Sequence, residues 1–167
     1  MAVPVKDGAG KFRARLWRYG PVVAWAGFVL FASTASFSAS NTSRIIRPLL
    51  LWHFPDISEA SLAHAHFLVR KAAHFTEYAL LALLAARAFR TSARAALRRG
   101  WWLASFALVA CVALADEYHQ SFLPARTGTI YDSLLDMAGG AAALACAALW
   151  LVRRRRESGN TDAAAGL

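Results

Sequence analysis

Apolar and polar residues alternate along this chain in long blocks. An uncharged run from Pro21 to Ala39 follows a basic segment, residues 1–20. A second run, about 71–89, opens with Lys71, His74 and Glu77 and becomes wholly apolar from Tyr78 to Ala86. A third starts at Trp101 and continues to about Gln120, and a fourth covers 130–152. A membrane-crossing helix needs roughly 20 mostly apolar residues. The pattern therefore predicts an all-α, polytopic membrane protein, a bundle of four transmembrane helices at about 21–39, 71–89, 101–120 and 130–152. The third run has the shortest uncharged stretch, and tilt would let it span. A secretory signal shares the layout of the first run, with a basic head and small residues near the end. That run is long for a signal core, and three further hydrophobic segments follow it.

The connections are legible too. The piece Ile45–Phe54 in the first outer loop mixes Arg and Trp with apolar residues, as a helix lying in the interface would. Ser58 is placed to cap a lead-in helix over Ser58–Arg70. The stretch from Ser121 to Gly128 holds Pro124 and Gly128 and reads as a hinge. Residues 153–167 read as a polar, disordered cytoplasmic tail.

Composition agrees with lipid as the solvent. Hydrophobic residues make up 57% of the 167 and charged residues 17%, against about 45–50% and about 25% in soluble domains. The net charge of +9 is spread in blocks between apolar runs. That argues against nucleic acid and reads as a topology signal. The N-terminal segment, the Arg87–Arg99 loop and Arg153–Arg156 hold most of the 19 Lys and Arg. Basic loops stay inside, which places both termini in the cytoplasm of a multi-pass inner-membrane protein. Cys111 and Cys146 sit in apolar runs and read as packing residues, with no disulfide framework.

The opposite side then collects all five histidines and most of the acids. Three segments feed it: Lys71-x-x-His74-x-x-Glu77-Tyr78, then Asp116-Glu117-Tyr118-His119-Gln120, then Arg126 with Asp132 and Asp136. Residues three or four apart share a helix face. An ionisable group at membrane depth costs at least ~2.5–3.5 kcal/mol, so these groups are expected to face the bundle interior. Snorkelling of helix-end charges is the plainer explanation for any one of them. The ligand-binding candidates are Lys71, His74, Glu77, Asp116, Glu117, Gln120, Arg126, Asp132 and Asp136. Gly139 and Gly140 read as close helix contacts.

These motifs, Lys71-x-x-His74-Phe75-x-Glu77-Tyr78, Asp116-Glu117-x-x-Gln120-x-Phe122-x-Pro124-x-Arg126-Thr127-Gly128 and Asp132-x-x-x-Asp136-x-x-Gly139, resemble those of the VanZ-like family of bacterial membrane proteins over residues 22–152. The resemblance implies an inner-membrane protein of the cell envelope and a link to glycopeptide (teicoplanin) resistance. It supplies no reaction. The family usually carries Asn where this chain has Asp136.

Three functions compete. The first is binding of a polar, lipid-linked or glycopeptide-like envelope ligand, with Lys71 and Arg126 holding phosphate or carboxylate. The second is a membrane-embedded enzyme acting on an envelope lipid or peptidoglycan precursor, with His74 as acid or base, Glu77 orienting it, and Asp116 or Asp132 as partner. The third is an oligomeric proton-coupled transporter using Glu77 and Asp136. A metal version of the enzyme would use His74, Glu77, Asp116 and His119, but His-x-x-Glu spacing is weak evidence. The sequence is read as carrying no metal and no cofactor.

Overall fold

The computed structural model describes residues 8–34, 39–122 and 130–165, and the side chains among them outside 39–42, 45 and 159–165. All regular structure among the described residues is helical. It comprises α1 (Gly8–Ala32), α2 (Ala39–His53), α3 (Glu59–Arg90), α4 (Ala95–Arg99), α5 (Trp101–Gln120) and α6 (Ile130–Ala165). The hinge around Pro124–Gly128, and Arg126 with it, lies outside the described residues.

α3 is the central helix and touches each of the other five, with its longest interface against α6. It runs unbroken for 32 residues because no Gly or Pro interrupts it. The lead-in segment and the second apolar run are thus one helix. Ser58 caps it as expected, its Oγ accepting the Ser61 N–H at 3.2 Å.

Several boundaries differ from the sequence reading. α1 begins at Gly8, inside the basic segment, and ends at Ala32, short of Ala39. Lys, Arg, Leu and Ala are good helix formers, so the basic segment extends the helix. Pro21 lies within α1 and cannot bond the carbonyl four residues back, that of Trp17. The Arg87 guanidinium of α3 donates to that Trp17 carbonyl at 3.4 Å. α6 likewise stays helical to Ala165, where the composition reads as a disordered tail. The Arg run and the alanines of that tail favour helix once one has started. α5 keeps the expected bounds, Trp101–Gln120. The helical α4 occupies the basic loop before it.

Packing in the middle of the bundle uses small residues. Ala82, Ala85, Ala88 and Ala113 are fully buried beside Leu81, Val29 and Val109. Gly139 of α6 meets the Phe75 backbone of α3, and a Cβ on Gly140 would lie 2.8 Å from Val109 Cγ1 of α5. The paired glycines therefore let α6 approach both neighbours, as close-packed membrane helices do. Cys111 and Cys146 are both exposed and belong to the outer surface, which corrects their reading as packing residues.

Two helices, Trp101–Gln120 and the Ile130–Ser158 part of α6, are long and apolar enough to cross a membrane. Only 22% and 28% of their most apolar windows are buried. A core helix of a soluble domain would be mostly buried, so these apolar surfaces call for another solvent. In α3 the apolar stretch is shared with Lys71, Glu77 and Arg87, and in α1 it is confined to the C-terminal half.

The two ends of the bundle are chemically distinct. At the basic end Ser92 joins three elements: its Oγ meets the Tyr19 hydroxyl at 2.9 Å and accepts the Arg94 N–H at 3.2 Å, and its carbonyl accepts from Arg98 at 2.9 Å. The end of α1 and of α5, together with the start of α6 and the first half of α3, makes the other.

Candidate functional site

Asp116 is the buried centre of that second end. It projects from the last turn and a half of α5 and is 0% exposed. Ser33, in the turn that closes α1, donates to its Oδ2 at 2.7 Å. Gln120, one turn along α5, donates to the same oxygen at 2.9 Å. The Tyr78 hydroxyl of α3 points to it at 3.5 Å, at the outer limit of hydrogen bonding. One carboxylate thus ties α1, α3 and α5 together. A buried carboxylate is tolerable only when hydrogen-bonded and electrically compensated.

Across from it, α3 and α6 face each other through two polar pairs. Lys71 forms an ion pair with Asp132, with side chains 29% and 33% exposed. One turn deeper, His74 Nδ1 lies 3.8 Å from Asp136 Oδ1, with side chains 22% and 3% exposed. That distance is electrostatic contact, longer than a hydrogen bond. The pairs form a ladder because 71 to 74 and 132 to 136 are each about one helical turn. Gly139, a further three residues along, sets how closely the two helices approach.

His74, Asp116 and Asp136 meet at the bottom of the ladder, where one ligand atom from each lies within 4.8 Å of the others. An imidazole and two carboxylates, one each from α3, α5 and α6, therefore share one small volume. Asp136 faces His74, one of the basic partners the sequence offers it, and has Asp116 as its acidic neighbour.

The same residues carry a family signature. A profile of the VanZ/LLP1 family matches residues 19–151, which is most of the chain and takes in every element of the site. The chain belongs to the VanZ/LLP1 family. No curated protein and no solved structure matches it.

Within this VanZ-like bundle the candidates divide. Lys71, His74, Asp116, Gln120, Asp132 and Asp136 come together at one end. Glu77 instead lines a groove on the α1–α3 surface with Trp25, Phe28, Val69 and Leu80, and the Trp25 indole donates to its backbone carbonyl at 2.9 Å. His119 is exposed, while Gln120 beside it is buried. Glu117 is half-buried. Arg126 falls outside the described residues.

Ser33 is the member that sequence reasoning overlooked. Its only signal was a hydroxyl near the end of an apolar run, a group that needs a partner once buried. The partner lies 83 residues away, so local spacing could not reveal it. Tyr78 was visible on the His74 face, but its role as a buried neighbour of Asp116 required the fold.

Proposed function

We propose that this VanZ-like protein is a four-span inner-membrane protein that receives the polar group of an envelope or lipid-linked ligand at the extracytoplasmic end of its bundle. The observation that carries the reading is the convergence of Lys71–Asp132, His74–Asp136 and Ser33–Asp116–Gln120 at the end opposite the basic blocks Arg87–Arg99 and Arg153–Arg156. Length supports α1 and α3 as the other two spans. At about 1.5 Å per residue the 32 residues of α3 reach about 48 Å, and the 25 of α1 about 37 Å, of which the uncharged part Tyr19–Ala32 covers about 21 Å of the ~30 Å hydrocarbon layer and leaves Arg15 and Arg18 to snorkel. The Lys and Arg distribution supports cytoplasmic termini. α2 fits an interfacial position, with Leu49 and Trp52, and Phe54 just after the helix, exposed beside Arg44 and Arg47.

Lys71 is the group suited to meet an anionic ligand. It stands at the partly open rim, paired with an acid that a phosphate or carboxylate can displace. The deeper carboxylates suit amines or cations. A glycopeptide-resistance role follows from the family resemblance through this same outward chemistry. The test uses the full chain reconstituted in nanodiscs, with a polyprenyl-diphosphate-linked peptidoglycan precursor as probe and phosphatidylglycerol as comparison. Saturable binding of the precursor, weakened in Lys71→Ala at unchanged protein abundance, supports the reading. Equal affinity in wild type and Lys71→Ala contradicts it.

A second reading, proton transfer on such a ligand, draws on the 3.8 Å approach of Asp136 to His74. Asp136 takes the orienting role that the sequence gives to Glu77. In that case His74→Ala abolishes turnover of the precursor while leaving its binding in place.

A further inference from the structure

We infer that His74, Asp116 and Asp136 bind one divalent transition-metal ion, of the Zn²⁺ or Mn²⁺ class, at the base of the polar chamber. The three ligand atoms lie within 4.8 Å of one another. Ligands about 2.1 Å from a shared ion stand about 3 to 4.2 Å apart in tetrahedral or octahedral arrangements, so a small contraction of the triad encloses an ion. Each ligand comes from a different helix, and both carboxylates are buried, at 0% and 2% exposure.

Charge argues the same way. Ser33, Tyr78 and Gln120 all address Asp116 Oδ2. These neutral donors orient the carboxylate without cancelling its charge. Two carboxylates and a neutral imidazole around a divalent cation make a site of zero net charge, which lipid surroundings favour over a buried anion pair. One nitrogen and two oxygen donors suit zinc or manganese better than the softer ions that prefer thiolates. Three protein ligands leave further positions open for water or a ligand oxygen.

This ligand set departs from the one the sequence suggested. Glu77 and His119 are directed elsewhere, and Asp136 takes their place. Ser33 acts as a positioning residue, holding Asp116 as carboxylate-binding hydroxyls hold metal ligands elsewhere.

The inference deepens the ligand-binding proposal and rests on it only for the side of the membrane that the ion faces. The experiment uses the full chain purified in detergent, stripped with a chelator and dialysed. It is titrated by calorimetry with Zn²⁺ and with Mn²⁺, and its Co²⁺ form is read by visible absorption. The expected result is one ion per chain and a Co²⁺ ligand-field spectrum. Both are lost in His74→Ala and Asp116→Asn, with affinity about tenfold weaker in Ser33→Ala and unchanged in Asp56→Asn. Circular dichroism and gel filtration confirm that each variant is folded, and the wild-type Co²⁺ spectrum reports the site even if a variant is lost. Absence of a stoichiometric ion from folded wild type, or equal uptake by Asp116→Asn, overturns the assignment. Precursor binding without an ion overturns the metal and leaves the ligand reading intact. An ion without precursor binding supports the metal site and counts against the ligand reading.

Discussion

Gly139 of α6 packs directly on the Phe75 backbone of α3, where a Cβ would overlap the Phe75 carbonyl oxygen. Phe75 adjoins His74, and Gly139 lies three residues from Asp136, so this contact fixes the gap that the His74–Asp136 pair spans. Gly139→Ala must push the helices apart. The expected cost is about 1–3 kcal/mol, as for other overpacked contacts, seen as a lower melting temperature in detergent. Gly27→Ala is the control. Nothing lies within 4 Å of a Cβ there, so it is expected to be neutral or stabilising by up to ~1 kcal/mol through helix propensity.

Ser33 and Asp116 hold the end of α1 to the end of α5. Ser33→Ala removes a donor from a fully buried carboxylate and is expected to destabilise by about 1–3 kcal/mol. In a Ser33→Ala/Asp116→Asn pair the two losses are expected to be less than additive, because both remove the same hydrogen bond. Chemical denaturation of the four proteins measures this. Strict additivity would mean that the clasp contributes nothing.

Lys71 and Asp132 are each about one-third exposed, so solvent screens part of their attraction. Either single change, Lys71→Met or Asp132→Leu, leaves one charge partly buried and alone. The double variant is expected to be more stable than the sum of the two losses by about 0.5–3 kcal/mol. Thermal unfolding of wild type, both singles and the double gives the coupling directly.

Arg47 of α2 and Glu59 at the start of α3 form a two-pronged salt bridge, with bonds of 2.6 and 2.8 Å. The Arg47 hydrogen bond holds the Glu59 carboxyl below its ordinary range. A lowered folded-state value stabilises above the ordinary carboxyl range, and that contribution disappears as pH falls through the lowered value. The protection of the α2 amides, taken relative to the intrinsic exchange rate at each pH, is therefore expected to fall on acidification in wild type. In Glu59→Gln that protection is expected to be low and to change little with pH.

What the sequence could convey follows from how far apart the interacting residues lie. α5 was legible end to end because Arg99-Gly100 precedes its apolar run and Asp116–Gln120 closes it. The Ser58 cap was legible because its partner, Ser61, is three residues away. Lys71 with His74, and Asp132 with Asp136, were readable as shared faces from helical spacing. That spacing does not say which neighbouring helix a face meets. His74 and Glu77 are three apart, yet His74 faces Asp136 of α6 while Glu77 lines the α1–α3 groove. His119 and Gln120 are adjacent, and the roughly 100° step between them sends one outward and the other to Asp116. The helical extensions at both ends were missed because basic and alanine-rich segments read as polar tails in composition while favouring helix locally.

The central claim is that the acidic, histidine-bearing end of the bundle faces away from the cytoplasm. Single cysteines report this in intact spheroplasts of a Cys111→Ala/Cys146→Ala background, using a membrane-impermeant maleimide. Asp56→Cys, in the turn between α2 and α3, is expected to label without permeabilisation, and Ala96→Cys, in α4, only after it. Labelling of Ala96→Cys from outside, with Asp56→Cys protected, would contradict the account.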